Sequence, residues 1–536
     1  MKKLLLSAAI TAALFAGQAQ ATVLTFQASG VPDLVAAKAG TNSEVWISGS
    51  SAATPFVEKS VIADCSGTVY KYANSTTDFT WVCNSSIAAG TINIVHKRDG
   101  GGSVTGVQSA LGVTLPTYAT TASLNTATAC VGAPVAACTG ATVVAATHAG
   151  DINLADVDSA QFEIAANGGQ VGAAALVNKS VATQIYGVVV NTRLRNAMQV
   201  ASIQAGTIPS TCATITKDAT GAITAATGFS ESEACMPSLT TAQISAIFGA
   251  NRVTDWYNLY FGGTDNILNS LVGVQAAADQ PSNTDIHYCS RTAGSGTLAT
   301  ANIKFENQCF SGNEAIATAK AQTISAETDP LSGNQKVVHS MSGSGDLENC
   351  LIGLNNGAAQ GTFTPFPATT NTAVAPAVNF RWAIGIMGTD RNAAGTLTGT
   401  PAKAYRFVKI DGFAPSAHNV AEGKYKFWSE LATIGNTPAA NTLGADILAN
   451  MGSANQITAL NLTHNFGLSG FLGNATNPSF LPTYDLPIAP GTLINGAFDA
   501  LRPVNLYTHA SAAGLGLNHC RAPSIPAGPK AIQAFN

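Results

Sequence analysis

The sequence predicts an α/β protein with mainly parallel sheets, and two observations carry that reading. Short apolar segments of β type alternate along the chain with longer, capped segments of helical type. Three of the β-type segments also run directly into Gly/Ser-rich loops that open helices, at residues 48–52, 99–104 and 294–297. In open α/β sheets such loops gather beyond the carboxyl ends of the strands, where helix N-termini converge.

Taken in order, Lys2 and Lys3 precede an apolar run at 4–15 and the small-residue pattern Ala19-Gln20-Ala21. This predicts a secretory signal peptide cut after Ala21. The run is too short to span a bilayer, and no cysteine follows the cleavage point to carry a lipid. Residues 44–47 (EVWI) read as a buried strand ending in SGSSAATPFVEKSV. Residues 91–95 (TINIV) read as a second strand ending in HKRDGGGSVTGVQSAL. The Ala/Thr-rich stretch from about 104 to 150 reads as an insertion, and 184–191 (QIYGVVVN) as a strong strand. SLTTAQISAIFGAN predicts a helix capped by Ser238 or Thr240 and left through Gly-Ala-Asn. The strand DIHYC then leads into CSRTAGSGT. Three further segments, HSMSGSGDLENCLIGLNNG, NFRWAIGIMG and YRFVKIDGFAPSAHNVAEGKYKFWSEL, continue the alternation. Trp256 and Trp428 are placed at helical core positions, and the last hundred residues carry few sharp signals.

Only 10% of the 536 residues are charged, with 26 basic against 30 acidic, and the leader takes two of the lysines. A slightly acidic chain of this kind is excluded as a binder of nucleic acid or of anionic membrane surfaces, and no later apolar run predicts membrane insertion. The ten cysteines, in an exported chain, predict disulfides. Connectivity is not readable from spacing. The simplest pairing is sequential: 65–83, 130–138, 212–235, 289–309 and 350–520. The eight histidines show no metal-ligand spacing, so no metal or other cofactor is expected. No nucleophile elbow, phosphate-binding Walker loop or Ser/His/Asp set is present, which argues against an enzyme.

CSRTAGSGT places Arg291 three residues before Gly294-Ser295-Gly296-Thr297, at the start of a helical segment. Unpaired N–H groups, the positive end of the helix dipole and a cation in one place suit an anion. The bland alternatives are a surface ion pair for Arg291, plain turns for the glycines and a solvated strand end for Lys97 and Arg98.

Four segments together resemble the periplasmic phosphate-binding proteins of ABC transporters, within the type II periplasmic-binding-protein fold. SGSSAATPFV is similar to the family's first phosphate loop, and SRTAGSGT to its Arg-x-x-Gly-Ser-Gly-Thr motif. MSGSGDLENCL with WAIGIMG is similar to the later helix start and strand. VKIDGFAPSAHNVAEGKYKFW is similar to its Asp-Gly…Pro…Asn-Val…Gly-x-Tyr run, and TTAQISAIFGANRVTDW fits the helix before the arginine motif. The resemblance covers about 44–431, with insertions.

The resemblance implies two lobes, with Ala/Thr-rich insertions and an extra C-terminal region. The first part of lobe I would span 22–183, lobe II 184–412, and the lobe I return with its C-terminal extension 413–536. It implies an exported protein, periplasmic or extracellular, that clamps phosphate or a related oxyanion for uptake through an ABC permease. Ser51 would offer its hydroxyl and Ala52 its N–H. Arg291 would give a charge-assisted, bidentate bond, and Ser295, Gly296 and Thr297 helix-start donors. Asp158, with Asp156 second, would accept the ligand's proton, which favours protonated phosphate over sulfate. Two positions depart from the family. Gly101 stands where the second loop has a serine, leaving Ser103 to substitute, and Ala293 stands where an acid is common. Asp99 is then a further choice of acceptor. The competing functions are a secreted or surface scaffold that reuses the fold and, last, a phosphoester hydrolase.

Overall fold

Branched and aromatic residues set the central strands. In the strand β1 (Asn42–Gly49), Val45 and Ile47 are buried; in β4 (Ile92–Arg98), Ile92, Ile94 and Val95 are. Between them run β2 (Cys65–Ser75) and β3 (Asp78–Ser85), and further along lie β5 (Ile152–Ala155) and β6 (Asn178–Asn191). The second half adds β7 (Ile286–Arg291), β8 (Lys336–Met341), β9 (Ala383–Gly388) and β10 (Trp428–Ile434). The computed structural model describes residues 23–221, 223–249, 253–261, 281, 284–309, 336–364, 380–393, 402–435, 442–474, 500, 503–510 and 516–524. The expected signal peptide at 1–21 lies outside them.

Among the described residues these strands form one sheet in the order β8-β7-β9-β6-β10-β5-β1-β4-β3-β2, extended at its edge by Val135–Thr139 and Ala129–Val131. The sheet is mixed, which corrects the expectation of mainly parallel pairing. The longer parallel runs lie in two regions, β4-β1-β5 and β8-β7-β9, and Val135–Thr139 adds a parallel neighbour to β2 at the edge. β2, β3 and β4 pair antiparallel, as the short turns between them require. The fourteen-residue β6 pairs with β10 through Asn178–Ile185 and with β9 through Tyr186–Val190, so one long strand joins the two parallel regions.

Each region has its own core. Phe56, Val57, Trp81 and Leu154 pack beside β1, while Val188, Val190, Trp256, Ile384 and Ile386 pack beside β6. Each fully buried side chain of this size contributes about 1.5–3 kcal/mol. Trp428 is buried but sits on β10, not on a helix. The helix Thr241–Phe248 starts as its sequence predicts, with Thr240 and Gln243 capping each other reciprocally. In the C-terminal region, helix Thr442–Met451 packs on α1 (Thr54–Ala63) through Leu443, Ile447 and Met451, and Phe471–Asn474 pairs with β6.

All ten cysteines are paired. Cys65–Cys83, Cys130–Cys138 and Cys212–Cys235 follow the sequential scheme, whereas the remaining pairs are Cys289–Cys350 and Cys309–Cys520. The correction has a simple cause. Successive residues of a strand face opposite ways: Tyr288 joins the core that holds Phe305, while Cys289 joins the core that holds Leu347 and Cys350. Five disulfides fit an oxidising, extracytoplasmic compartment. No described helix is long and apolar enough to cross a membrane.

Candidate functional site

Three strand-to-helix loops meet at the carboxyl ends of the parallel strands. The first runs from β1 into α1. Gly49 has φ +82°, and a Cβ there would lie 2.1 Å from the Leu154 carbonyl oxygen, so only glycine fits. This approach turns Ser50 inward at φ +22°, where its hydroxyl donates to Asp156 Oδ1. The second loop runs from β4 into α2 (Ser103–Leu111), and the third from β7 into α3 (Gly296–Glu306). The last two touch directly, since Val104 N–H donates to the Gly294 carbonyl at 2.9 Å.

Asp156, just past β5, lies at the centre and is 3% exposed. Its backbone N–H donates to Ser103 Oγ at 3.1 Å. A Cβ on Gly296, the first residue of α3, would fall 2.6 Å from Asp156 Oδ2, so the carboxylate lies hard against that helix start. Burial pushes the Asp156 carboxyl pKa up, opposed by the Ser50 hydroxyl and by the charges of Arg291 and Lys97.

The two cations come from opposite sides. Lys97, on β4, is fully buried and donates to the Gly49 carbonyl and, at 3.1 Å, to that of Ser50. Burial lowers its pKa to about 8, while Asp99 and Asp156 pull it the other way. Arg291 ends β7 and is 3% exposed. Its guanidinium donates to the Met341 carbonyl at 3.3 Å, the Ser342 carbonyl at 2.9 Å and Ser344 Oγ at 3.2 Å. Those partners belong to the loop that opens α4 (Ser344–Asn356).

Of the residues expected from sequence, Ser103, Arg291, Ser295, Gly296 and Thr297 are buried around this cluster. Ser295 caps α3 by accepting from Leu298 N–H at 3.4 Å. Gly101 lies in the second loop with its backbone at φ +89°, and Ser51 and Ala52 sit half-buried on the first. Asp158 is not in the cluster. Its Oδ2 accepts from His519 N–H at 2.8 Å and lies 3.0 Å from His519 Nδ1, with Gln161 on its other side. Asp99 accepts from Thr54 Oγ1 at 2.6 Å through Oδ2, while its buried Oδ1 has no hydrogen-bond partner among the described residues. The reading of Lys97 as a solvated strand end is corrected: its ammonium is buried under the loop that follows β1, on the Gly49 and Ser50 carbonyls. The first-loop hydroxyl that meets Asp156 is that of Ser50, next to the expected Ser51, and Asp156 is the carboxylate that sequence reasoning placed second to Asp158. The inward turn at Gly49 was the signal that could have found Ser50.

No protein-family model matches the chain, and no curated protein matches it. Among solved structures, the chain is similar to a putative phosphate ABC transporter substrate-binding protein with bound phosphate from Clostridium perfringens. The identity is 14%, over 80% of this chain and 99% of that one, with a TM-score of 0.37. It is also similar to an ABC-type phosphate transport receptor from Vibrio cholerae, at 12% identity over 78% and 98% of the two chains with a TM-score of 0.32. PstS from Borrelia burgdorferi gives 12% identity over 80% and 98%, with a TM-score of 0.31. Similarity at this level concerns the fold and not the ligand.

Proposed function

We propose that this is an exported solute-binding protein that clamps phosphate or a similar oxyanion between two lobes, one on each parallel region of the sheet. One observation carries the reading. Three Gly/Ser loops at strand carboxyl ends converge on a buried cluster that holds two cations, a helix start and a carboxylate with a raised pKa. Ser51 and Ala52 supply donors from one region, and Arg291 with Ser295, Gly296 and Thr297 from the other. Only the closed arrangement then satisfies every ligand oxygen. Asp156, in place of Asp158, accepts the proton of the bound anion. Delivery to an ABC permease is the use this implies.

Isothermal titration of the phosphate-stripped protein tests it. Saturable heat with phosphate or arsenate, largely lost in Arg291→Ala, is the expected result; the lost bonds are worth about 1.5–3 kcal/mol. No heat and no thermal shift with millimolar phosphate, arsenate or sulfate would refute it. A second reading, a scaffold that keeps the fold without the ligand, is favoured by the engagement of Arg291 with the 341–344 loop and of Ser50 with Asp156. In that case Asp156 is itself the anion at the helix start, and the same titration is silent.

A further inference from the structure

A second cluster lies apart from Asp156, around a cavity of about 260 Å3 walled by α3, Trp428 and the C-terminal segment. Beside the neutral Thr300 and Asn307, its polar lining includes Lys304, Arg521, His509 and His519, with Trp428 and Ile303 as apolar surface. Both histidines are buried and backed by buried carboxylates. His509 Nδ1 lies 3.0 Å from Glu430 Oε2, and His519 Nδ1 lies 3.0 Å from Asp158 Oδ2. Burial works to raise the pKa of both carboxyls, but the histidine hydrogen bonds outweigh it and hold them below the usual range. Each carboxylate thus fixes the orientation of its imidazole; burial lowers the pKa of His509, and Glu430 opposes that shift.

The two rings differ in what they leave available. His519 Nε2 accepts from Glu430 N–H at 3.1 Å, so both its ring nitrogens are engaged. His509 borders the cavity, and its Nε2 makes no hydrogen bond among the described residues. Lys304, in the last turn of α3, likewise has no hydrogen bond or ion pair there. Burial and the Lys426 charge act against its protonated form and outweigh the opposing pull of Asp411. Holding that ammonium in the cavity wall beside another lysine has a cost that an anion would offset.

Glu430, His509 and His519 present ligand atoms within 4.8 Å of one another, a spacing that would also admit a metal ion. The chemistry argues against it. Glu430 already accepts from Thr508 Oγ1 at 2.5 Å and from His509 N–H at 2.8 Å, and a cation would face Lys304 and Arg521. We propose instead that this cavity is a second binding site, for a small organic anion. Lys304 and His509, which takes up a proton as the anion binds, hold its carboxylate or phosphate head, and its apolar body lies on Trp428 and Ile303. The volume approaches the roughly 300 Å3 at which small-molecule sites begin, more room than a tetrahedral inorganic ion needs.

The test is titration of the full-length exported protein with benzoate and, separately, phenyl phosphate, followed by calorimetry and tryptophan fluorescence. The expected result is saturable binding of at least one probe with a change in emission from Trp428; which probe binds identifies the head group. Lys304→Met should weaken it about tenfold or more, and His509→Phe should do the same. Lys304 is only half-buried, so its variant remains informative if the histidine variant fails to fold. Arg291→Ala should leave this binding unchanged, which separates it from any phosphate site at Asp156. Absence of saturable binding at millimolar probe would overturn the proposal, as would loss in Arg291→Ala with none in Lys304→Met. Stoichiometric zinc binding abolished by Glu430→Gln would overturn it in favour of a metal.

Discussion

Replacing Asp156 with asparagine gives the sharpest test of how the cluster works. The side chain swap is nearly isosteric, so the crowding against Gly296 is unchanged. What changes is charge and acceptor capacity. The carboxylate receives the Ser50 hydroxyl and faces Arg291 and Lys97. If it also receives the proton of hydrogen phosphate, losing that charged bond costs about 1.5–3 kcal/mol, or roughly 10- to 150-fold in Kd. An amide can donate where a carboxylate cannot, so binding of fully ionised sulfate should be retained or improved. Calorimetric titration of both anions at neutral pH, on wild type, Asp156→Asn and Asp158→Asn, reads this directly. Phosphate affinity should fall in Asp156→Asn alone, and the preference for phosphate over sulfate should shrink. The reasoning is refuted if Asp158→Asn loses the affinity and Asp156→Asn keeps it.

Gly49→Ala meets backbone atoms that cannot move aside and a φ that L residues avoid, so it should cost about 3 kcal/mol or more, read as a lower urea midpoint. Removing Cys309–Cys520 by double serine substitution opens a loop of 211 residues, which the chain-entropy model values at about 5 kcal/mol; an unchanged thermal midpoint would contradict it. Burial and the Asp446 charge raise the Asp64 carboxyl from 3.8 to about 6. Its folded pKa lies above the unfolded one, so the stability tied to its proton is complete below about pH 4 and lost as pH rises through 6. Asp64→Asn should therefore stabilise the protein at pH 8, by up to about 3 kcal/mol, and have little effect at pH 4; equal midpoints at pH 8 would rule this out.

Local features can be read along the chain. Strands 44–47, 91–95 and 184–191, the Thr240 cap and the three Gly/Ser loops depend on neighbours a few residues away, and the structure has them where the pattern puts them. The three disulfides that close short loops belong to the same class. Tertiary structure decided everything that rests on distant partners. Asp156 and Asp158 stand two residues apart in one short motif, and nothing in that motif ranks them. His519, 361 residues further on, claims Asp158 and leaves Asp156 to the loop cluster. Lys97 reads as a solvated strand end until the loop after β1 folds over it and its carbonyls take the ammonium. Cys289 pairs with Cys350 because the face on which a strand residue lies, and the helix packed there, outweigh nearness in sequence. Hydrogen bonds, charge pairs and disulfides act over a few ångströms of space, and the chain's order does not encode which residues will share them.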